Sequence, residues 1–367
     1  MLIKQLNIEG FRNLEQVTLS LDPNLNIFVG LNGSGKTSLL ESIVFLVLGR
    51  SFRLSRLDSL IGFNQPFAAV SAIYYDRSSQ QIKINTIKYK NQEKTNKIGG
   101  GFASLLQIAQ LAPTQIVHES SSTLIFAEPE GRRKFLDWIV FYANEGYHDL
   151  WREFNRVLQQ RNSLLKQHNH AMFSVIKEID KVFVVLAEKI KAMRDAVWRG
   201  FFDVWDRCFL ELDFDVNIKP EIKLVHGWEG DLLHALVANL QSDLKQGFTS
   251  VGPQRADLKF FINHKKAKDI LSRGQGKAVT LSLILARALF LNRVSGSLNT
   301  GSVLLIDDLC AELDNVNGKK ITDFLTNPNY KLQVFITGIN EAELLKVLPK
   351  SYGQWFNIQQ GEISSWF

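Results

Sequence analysis

Apolar positions along the chain follow two patterns. Short strand-like runs cover Leu2–Ile8, Val17–Leu19, Asn26–Val29 and Ile82–Tyr89, and they resume at Leu258–Ile262, Val303–Ile306 and Leu332–Ile336. Between them, roughly from Glu130 to Lys245, the period is helical. There Ile176, Ile179, Phe183, Leu186, Ile190, Met193 and Val197 recur at alternating spacings of three and four, a heptad seam. Trp151, Phe154, Leu158, Arg161, Leu165 and His168 follow the same spacing less cleanly. Two such helices linked near Asn169-His170 predict an antiparallel hairpin. From Ile176 to Val197 the rise is only about 30 Å, which favours a compact helical lobe over a projecting coiled coil. His168 and His170 read as loop residues, not metal ligands. The expected organisation is an α/β domain split in sequence and closed in space, with parts at 1–129 and 246–367 around a helical lobe at 130–245.

Composition narrows the class. The 367 residues are 45% hydrophobic and 22% charged, ordinary for a soluble globular protein with room for two domains. The start, Met1 to Asn7, lacks the apolar core of a signal peptide, and the apolar run from Ala278 to Leu291 is broken by Arg287. Neither secretion nor membrane insertion is expected. Cys208 and Cys310 lack disulfide or zinc-ligand spacing, which fits a reducing cytoplasm. The formal charge of +6 permits a polyanionic partner, and basic clusters stand at Arg50/Arg53/Arg56, Lys88/Lys90/Lys94/Lys97, Arg132/Arg133/Lys134 and Lys265/Lys266/Lys268. The candidate DNA contacts are the Lys88 and Lys265 runs. No helix-turn-helix, zinc finger or aromatic RNA-binding motif accompanies them, so little sequence preference is expected.

Three motifs carry chemistry. Gly30-Leu31-Asn32-Gly33-Ser34-Gly35-Lys36-Thr37 fits the P-loop pattern G-x-x-x-x-G-K-[ST], between an apolar run and a helical pattern beginning near Lys36. Glycines let backbone N–H groups approach phosphate oxygens, Lys36 reaches the β- and γ-phosphates, and Thr37 offers a hydroxyl to Mg²⁺. Val303 to Ile306 reads as a buried parallel strand ending in Asp307-Asp308, at the sheet edge where ligands bind. Asp307 is the candidate Mg²⁺ partner and Asp308 the candidate for polarising the attacking water. Ala311-Glu312-Leu313-Asp314 follows in the manner of the D-loop of ABC-type ATPases. Leu271-Ser272-Arg273-Gly274-Gln275 resembles the ABC signature LSGGQ, with Arg273 in place of one glycine, and opens a helix whose free N–H groups make a second phosphate-binding end. In ABC ATPases the signature of one subunit closes over the nucleotide of the other, so an ATP-dependent homodimer is expected.

Further segments carry a family resemblance: Ile8-Glu9-Gly10-Phe11-Arg12-Asn13-Leu14, Thr37-Ser38-Leu39-Leu40-Glu41-Ser42-Ile43, Gly49-Arg50-Ser51-Phe52-Arg53, Pro113-Thr114-Gln115, Gly131-Arg132-Arg133-Lys134-Phe135-Leu136-Asp137-Trp138, Gln160-Arg161-Asn162 and Gly252-Pro253-Gln254-Arg255-Ala256-Asp257-Leu258. In order and across nearly the whole chain, they resemble the bacterial RecF family of SMC-like, ABC-type ATPases. That resemblance implies an ABC-type P-loop ATPase head, a mixed sheet with flanking helices, carrying an inserted, mainly helical second lobe. It implies ATP and Mg²⁺ as cofactors and nucleotide contacts from Arg12, Asn13, Gly30, Asn32, Gly33, Ser34, Gly35, Lys36, Thr37, Ser38, Ser272, Gly274 and Gln275. Lys36, Asp307, Asp308 and the Q-loop residue Gln115 would be catalytic, and Thr37, Gln115 and Asp307 would serve the metal.

The implied role lies in DNA replication, recombinational repair and the SOS response. An ATP-driven dimer on gapped or duplex DNA acts with RecR and RecO to help RecA replace single-strand-binding protein, and slow, DNA-stimulated hydrolysis resets it. One departure stands out: Val334-Phe335-Ile336 leads to Thr337-Gly338 with no switch histidine, leaving Thr337 as a candidate γ-phosphate contact. The rival readings are another SMC-like ABC ATPase of defence or nuclease systems, which would share the nucleotide motifs, and a transporter's nucleotide-binding subunit, which the long interval between P-loop and signature opposes.

Overall fold

The computed structural model describes residues 2–75, 80–118, 124–167, 173–214, 216, 219–294, 301–312 and 314–366. The chain divides into two compact units, Met1–Thr123 with Val204–Asp215 and Lys277–Phe367, and Leu124–Asp203 with Val216–Gly276.

The first unit is built on two six-stranded sheets. One is antiparallel, in the order β2 (Leu14–Ser20), β1 (Leu2–Phe11), β4 (Phe67–Tyr75), β5 (Gln81–Tyr89), β6 (Thr95–Ile98), β7 (Gly101–Phe102). The other runs β15 (Glu362–Ser365), β14 (Gln354–Gln359), β3 (Leu25–Val29), β13 (Leu332–Gly338), β12 (Ser302–Ile306), β8 (Thr114–Val117), parallel except at the β15 edge. Helix α1 (Lys36–Leu48) packs on strands of both sheets, and its Leu39–Val47 stretch is buried on every side, as an apolar helix must be. Its core neighbours include Leu6, Phe11, Val70, Leu305, Phe335 and Phe356. The helix that follows the P-loop is therefore the centre of the unit. Shorter helices α2 (Leu105–Leu111), α8 (Leu309–Glu312), α9 (Asn315–Leu325) and α10 (Glu341–Val347) complete it.

The second unit holds α3 (Pro129–Ala143), α4 (Tyr147–Leu165), α6 (Leu232–Gln246) and most of α5 (Phe173–Leu212), with a three-stranded sheet ordered β11 (Lys265–Lys266), β10 (Asp257–Ile262), β9 (Glu221–Val225). The strand expected at Leu258–Ile262 exists, but it pairs with β9 in this unit and is not part of the split α/β domain. This unit accordingly reaches Gly276, past the boundary expected at 245. α4 and α5 pack antiparallel: Phe154 meets Phe183 with ring centroids 4.9 Å apart, and Arg161 meets Asp180. The expected link at Asn169-His170, with His168, lies outside the described residues.

The α5 seam is turned from the heptad reading. Ile176, Phe183, Leu186, Ile190 and Val197 are buried as expected, but Asp180, Ala187 and Arg194 share that face while Ile179 and Met193 are only half-buried. Two charges in a core need partners. Arg161 donates from Nε to Asp180 (2.7 Å) and from Nη1 to Asp243 and Thr249 (both 2.9 Å), and all four residues are buried. Arg194 donates to Asp137 (2.7 Å from Nη2) and to the Pro253 carbonyl (3.0 Å), its guanidinium lying over the Trp151 ring.

Burial raises the Asp180 carboxyl above the usual carboxylate range, against the pull of Arg161. A folded-state pKa above the unfolded value means that the native state holds its proton more tightly. The contribution of Asp180 to stability therefore falls as pH rises from the ordinary carboxylate pKa through the raised one. Arg161→Met should destabilise the protein by about 3–5 kcal/mol, because two buried carboxylates lose their shared cation. The loss should be smaller at pH 5 than at pH 8, because protonation of Asp180 offsets the missing cation at the lower pH. Thermal unfolding across that range checks both, and Asp180→Asn should flatten the slope; a pH-independent deficit in Arg161→Met would contradict the electrostatic account.

Candidate functional site

Three parallel strands of the first unit end at one edge. Register places Ile306 of β12 beside Ile336 of β13, and Val29 of β3 beside Gly338. The P-loop, Asp307-Asp308 and Thr337 therefore leave the sheet together, at the carboxyl ends where ligands of α/β sheets bind. Gly30 N bonds to Gly338 O at 3.2 Å.

Within the P-loop, Gly30 has no room for a side chain: a Cβ there would stand 2.2 Å from Ile358 O and 2.7 Å from Ser34 Oγ. Gly35 starts α1 at φ 122°, a backbone that L side chains rarely adopt, and Gly33 lies at φ 79°. Asn13 reaches across from the β1–β2 turn, accepting from Ser38 Oγ at 2.9 Å and donating to Gly33 O at 3.4 Å. Asn32 is exposed, whereas Ser34 Oγ is buried with no hydrogen-bond partner, an unsatisfied hydroxyl in the phosphate-binding turn. An open cleft of about 560 Å³ lies against the loop, between it and Asn357, Gln360 and Trp366.

Lys36 is buried, its Nζ donating to Gly30 O (2.5 Å) and Leu31 O (2.9 Å). Burial holds its pKa below the usual lysine value, with Asp308 and Asp307 pulling the other way. Thr37 Oγ1 lies 3.2 and 3.1 Å from the two carboxylate oxygens of Asp307, although 270 positions separate them.

Thr337 explains the missing histidine. Fully buried, it donates to Asp307 Oδ1 and accepts from Asp308 N, both at 2.8 Å. Its O–H donates to the Asp307 carboxylate and its oxygen holds the Asp308 backbone, so in this arrangement the hydroxyl that was the candidate γ-phosphate contact links the two aspartates. Asp308 itself takes a left-handed φ of 52°, a conformation uncommon outside glycine that the Thr337 bond helps to hold.

The hard oxygens of Thr37 and Asp307 suit Mg²⁺, and the described residues contain no cluster of three or more metal-ligating His, Cys, Asp or Glu. Two protein oxygens beside the P-loop suit the way Mg²⁺ is usually held, together with phosphates and water.

Gln115 is not brought to this edge. It pairs in register with Leu304, below the strand end, and its buried side chain is engaged by Arg287 Nε (2.7 Å) and by Ser302 Oγ (3.5 Å) at the start of β12. Its assignment to Mg²⁺ and to catalysis is therefore corrected. Val117 pairs with Ile306, so the residue level with Asp307 is His118, half-buried against the Phe52 ring at 5.1 Å. Two more residues escaped sequence reasoning. Glu41 is fully buried and takes both Nε and Nη2 of Arg12, while Ser51 donates to the same carboxylate. The available signal was a lone carboxylate in the apolar run Leu39–Val47.

In the second unit, Ser272 and Gln275 form a reciprocal cap at the start of α7 (Arg273–Val294): Gln275 N donates to Ser272 Oγ (3.2 Å) and Ser272 N to Gln275 Oε1 (3.1 Å). Gly274 and Ser272 are exposed, and Gly276 lies close under Phe126. The basic clusters separate by role. Lys88 is buried against Asp58 and the Tyr89 and Gln92 carbonyls, and Arg132 pairs with both oxygens of Asp257 (2.7 and 2.9 Å). Arg133 donates to Ala256 O at 3.1 Å. Arg50, Arg53, Arg56, Lys265, Lys266 and Lys268 are exposed. Among the described residues, no helix is long and apolar enough to cross a membrane.

Comparison with known proteins agrees with this geometry. The family model for the RecF/RecN/SMC N terminal domain matches residues 2–362. DNA replication and repair protein RecF from Psychromonas ingrahamii is 35% identical over 369 residues, covering 99% of each chain, and its counterpart from Pseudoalteromonas translucida is 35% identical over 371. The solved structure of the recombination mediator protein RecF-ATP in the RecFOR pathway superposes with a TM-score of 0.84 at 27% identity, over 100% of this chain and 98% of that one. The Smc head bound to the C-winged helix domain of ScpA, at 16% identity and a TM-score of 0.61, shares the fold. Matched from end to end, with its P-loop and paired aspartates at one sheet edge, the chain belongs to the RecF family of DNA replication and repair ATPases.

Proposed function

We propose that the chain binds ATP at the P-loop, closes on a second copy of itself around the nucleotide, and in that state holds DNA during recombinational repair. The meeting of Thr37 with Asp307, beside the buried Lys36 and the unsatisfied Ser34 hydroxyl, carries the reading. Backbone N–H groups from Gly30 to Thr37 cradle the phosphates, and Ser38 and Asn13 brace the turn. Arg12 faces the nucleotide from the side. Thr37 and Asp307 would hold Mg²⁺, which would supply positive charge to the phosphates. Lys36 adds a cation at the same oxygens, and Asp308 orients and polarises the attacking water. An aspartate reaches less far than the glutamate of many ABC enzymes, which fits a slow, DNA-stimulated cycle whose output is a bound state.

Ser272, Gly274 and the N-terminus of α7 in one copy complete the nucleotide site of the other, with Gln275 holding Ser272 in place. The closed dimer acts on gapped or duplex DNA in the cytoplasm, with RecR and RecO, to help RecA displace single-strand-binding protein.

Thr337→Val should lower kcat by about 10-fold or more, the rate equivalent of losing one hydrogen bond to a charged group, while ATP binding persists. Thr337→Ser should restore most of the rate, and a valine variant with unimpaired turnover would remove Thr337 from the mechanism. Ser272→Arg should leave ATP binding to the single subunit intact yet block ATP-driven dimerisation; sedimentation with and without ATP decides this, and normal dimers would sink the composite site. DNA affinity should be greater with ATP than with ADP and fall steeply with salt. Charge reversal at Lys265, Lys266 and Lys268 should weaken it and reduce the salt slope, whereas reversal at Lys88 should lower Tm instead, because that ammonium is an internal brace. Titrations at two salt concentrations distinguish these outcomes, and identical ATP and ADP curves would uncouple nucleotide from DNA.

A further inference from the structure

Glu41 is a fully buried carboxylate in the middle of an otherwise apolar helix stretch. Oε2 accepts from Arg12 Nε; Oε1 accepts from Arg12 Nη2 at 2.9 Å and from Ser51 Oγ. The Ser51 oxygen in turn accepts from Arg53 N (2.9 Å) and Leu54 N (2.8 Å), shaping the segment that exposes Arg50, Arg53 and Arg56. Arg12 is pinned at its other end too. It sits at φ 52°, with its N–H on Leu60 O at 2.8 Å, directly before the Asn13 that braces the P-loop.

Burying this carboxylate carries a desolvation cost that an apolar side chain would not, and Arg12 and Ser51 are the partners that offset it. Its fork-to-fork bond uses Nε and Nη2 of Arg12, fixes the guanidinium plane, and leaves Nη1 and the remaining 18% exposed surface of the side chain for an anion. Glu41 stands one turn beyond Thr37 on the same helix, so its hold on Arg12 is set from the element that carries the phosphate-binding residues.

We infer that Glu41 is a positioning residue that presets Arg12 for the nucleotide and, through Ser51, ties that setting to the exposed arginine segment 50–56. This rests on the reading of Arg12 as a nucleotide-facing residue. The inference assigns Glu41 no contact with ATP. Its effect passes through Arg12, so it must vanish when Arg12 is removed.

A double-mutant cycle on the intact chain tests this, with ATP Kd from titration and Tm measured alongside. Glu41→Gln keeps the shape but loses the charge, and should weaken ATP binding on the order of 10-fold while causing no further loss in an Arg12→Ala background. Ser51→Ala, which removes one donor from the same carboxylate, should weaken binding by a smaller factor that also disappears without Arg12; it substitutes for Glu41→Gln if that variant does not fold. Equal losses with and without Arg12 would show that the carboxylate serves the fold alone and would overturn the proposal. So would unchanged affinity in Glu41→Gln where Arg12→Ala is impaired. If the Arg12→Ala/Glu41→Gln protein, which buries no unpaired charge, binds ATP as wild type does, then the nucleotide-facing reading of Arg12 is what fails.

Discussion

A single carboxylate, Asp307, sets the geometry on which the rest of the first unit depends. It takes a hydroxyl from Thr37 at the head of α1 and another from Thr337 at the end of β13, while Thr337 also holds the backbone of Asp308. These contacts require β3, β12 and β13 to end at one level, so the parallel register of the whole sheet converges on one side chain. The partners come from positions 37, 307 and 337, which makes the site a product of long-range pairing. Such contacts are costly in loop-closure entropy and form late. The apolar α1, packed on strands of both sheets, offsets that cost by giving each distant segment the same surface to condense upon.

The second unit is governed by buried guanidinium groups. Segments 131–137 and 252–257 belong to this unit, and the structure shows what they hold together: Arg132 binds Asp257, Arg133 binds Ala256 O, and Asp137 shares Arg194 with Pro253 O. Arg161 and Asn162 likewise hold Thr249 and, through Arg161, Asp243. Planar forks with several donors suit this work, since each can satisfy carboxylates and carbonyls from separate chain segments at once. These segments are therefore braces for a lobe whose helices and strands are contributed by distant stretches of chain.

The nucleotide motifs were legible because their chemistry constrains residue type and spacing together. Gly30, Gly35, Lys36, Thr37 and Asp307 stand where the pattern places them. Gln115 was misplaced because sequence order cannot show how far along a strand a residue sits; the pairing of Val117 with Ile306 puts His118 at the edge instead. Strands β8 and β9 went unseen for a related reason. Thr114 and Gln115 are polar residues buried in a parallel sheet, and β9 is a short Lys- and Glu-containing strand inside a helical stretch. On α5 the heptad reading chose Ile179 and Met193 over Asp180 and Arg194, since hydrophobicity alone cannot reveal charges whose partners lie elsewhere in the chain. Glu41 became a functional candidate only when its hydrogen bonds could be seen, and the same was true of the link between Thr337 and the two aspartates.

The turn between β14 and β15 reaches back to the P-loop: Gly361 N bonds to Ser34 O at 2.8 Å, and Ile358 O lies where Gly30 would carry a side chain. The nucleotide loop is thus braced by a segment more than three hundred residues further along the chain. A truncation that removes this turn would leave the P-loop motif complete in sequence but without the contacts that steady its backbone.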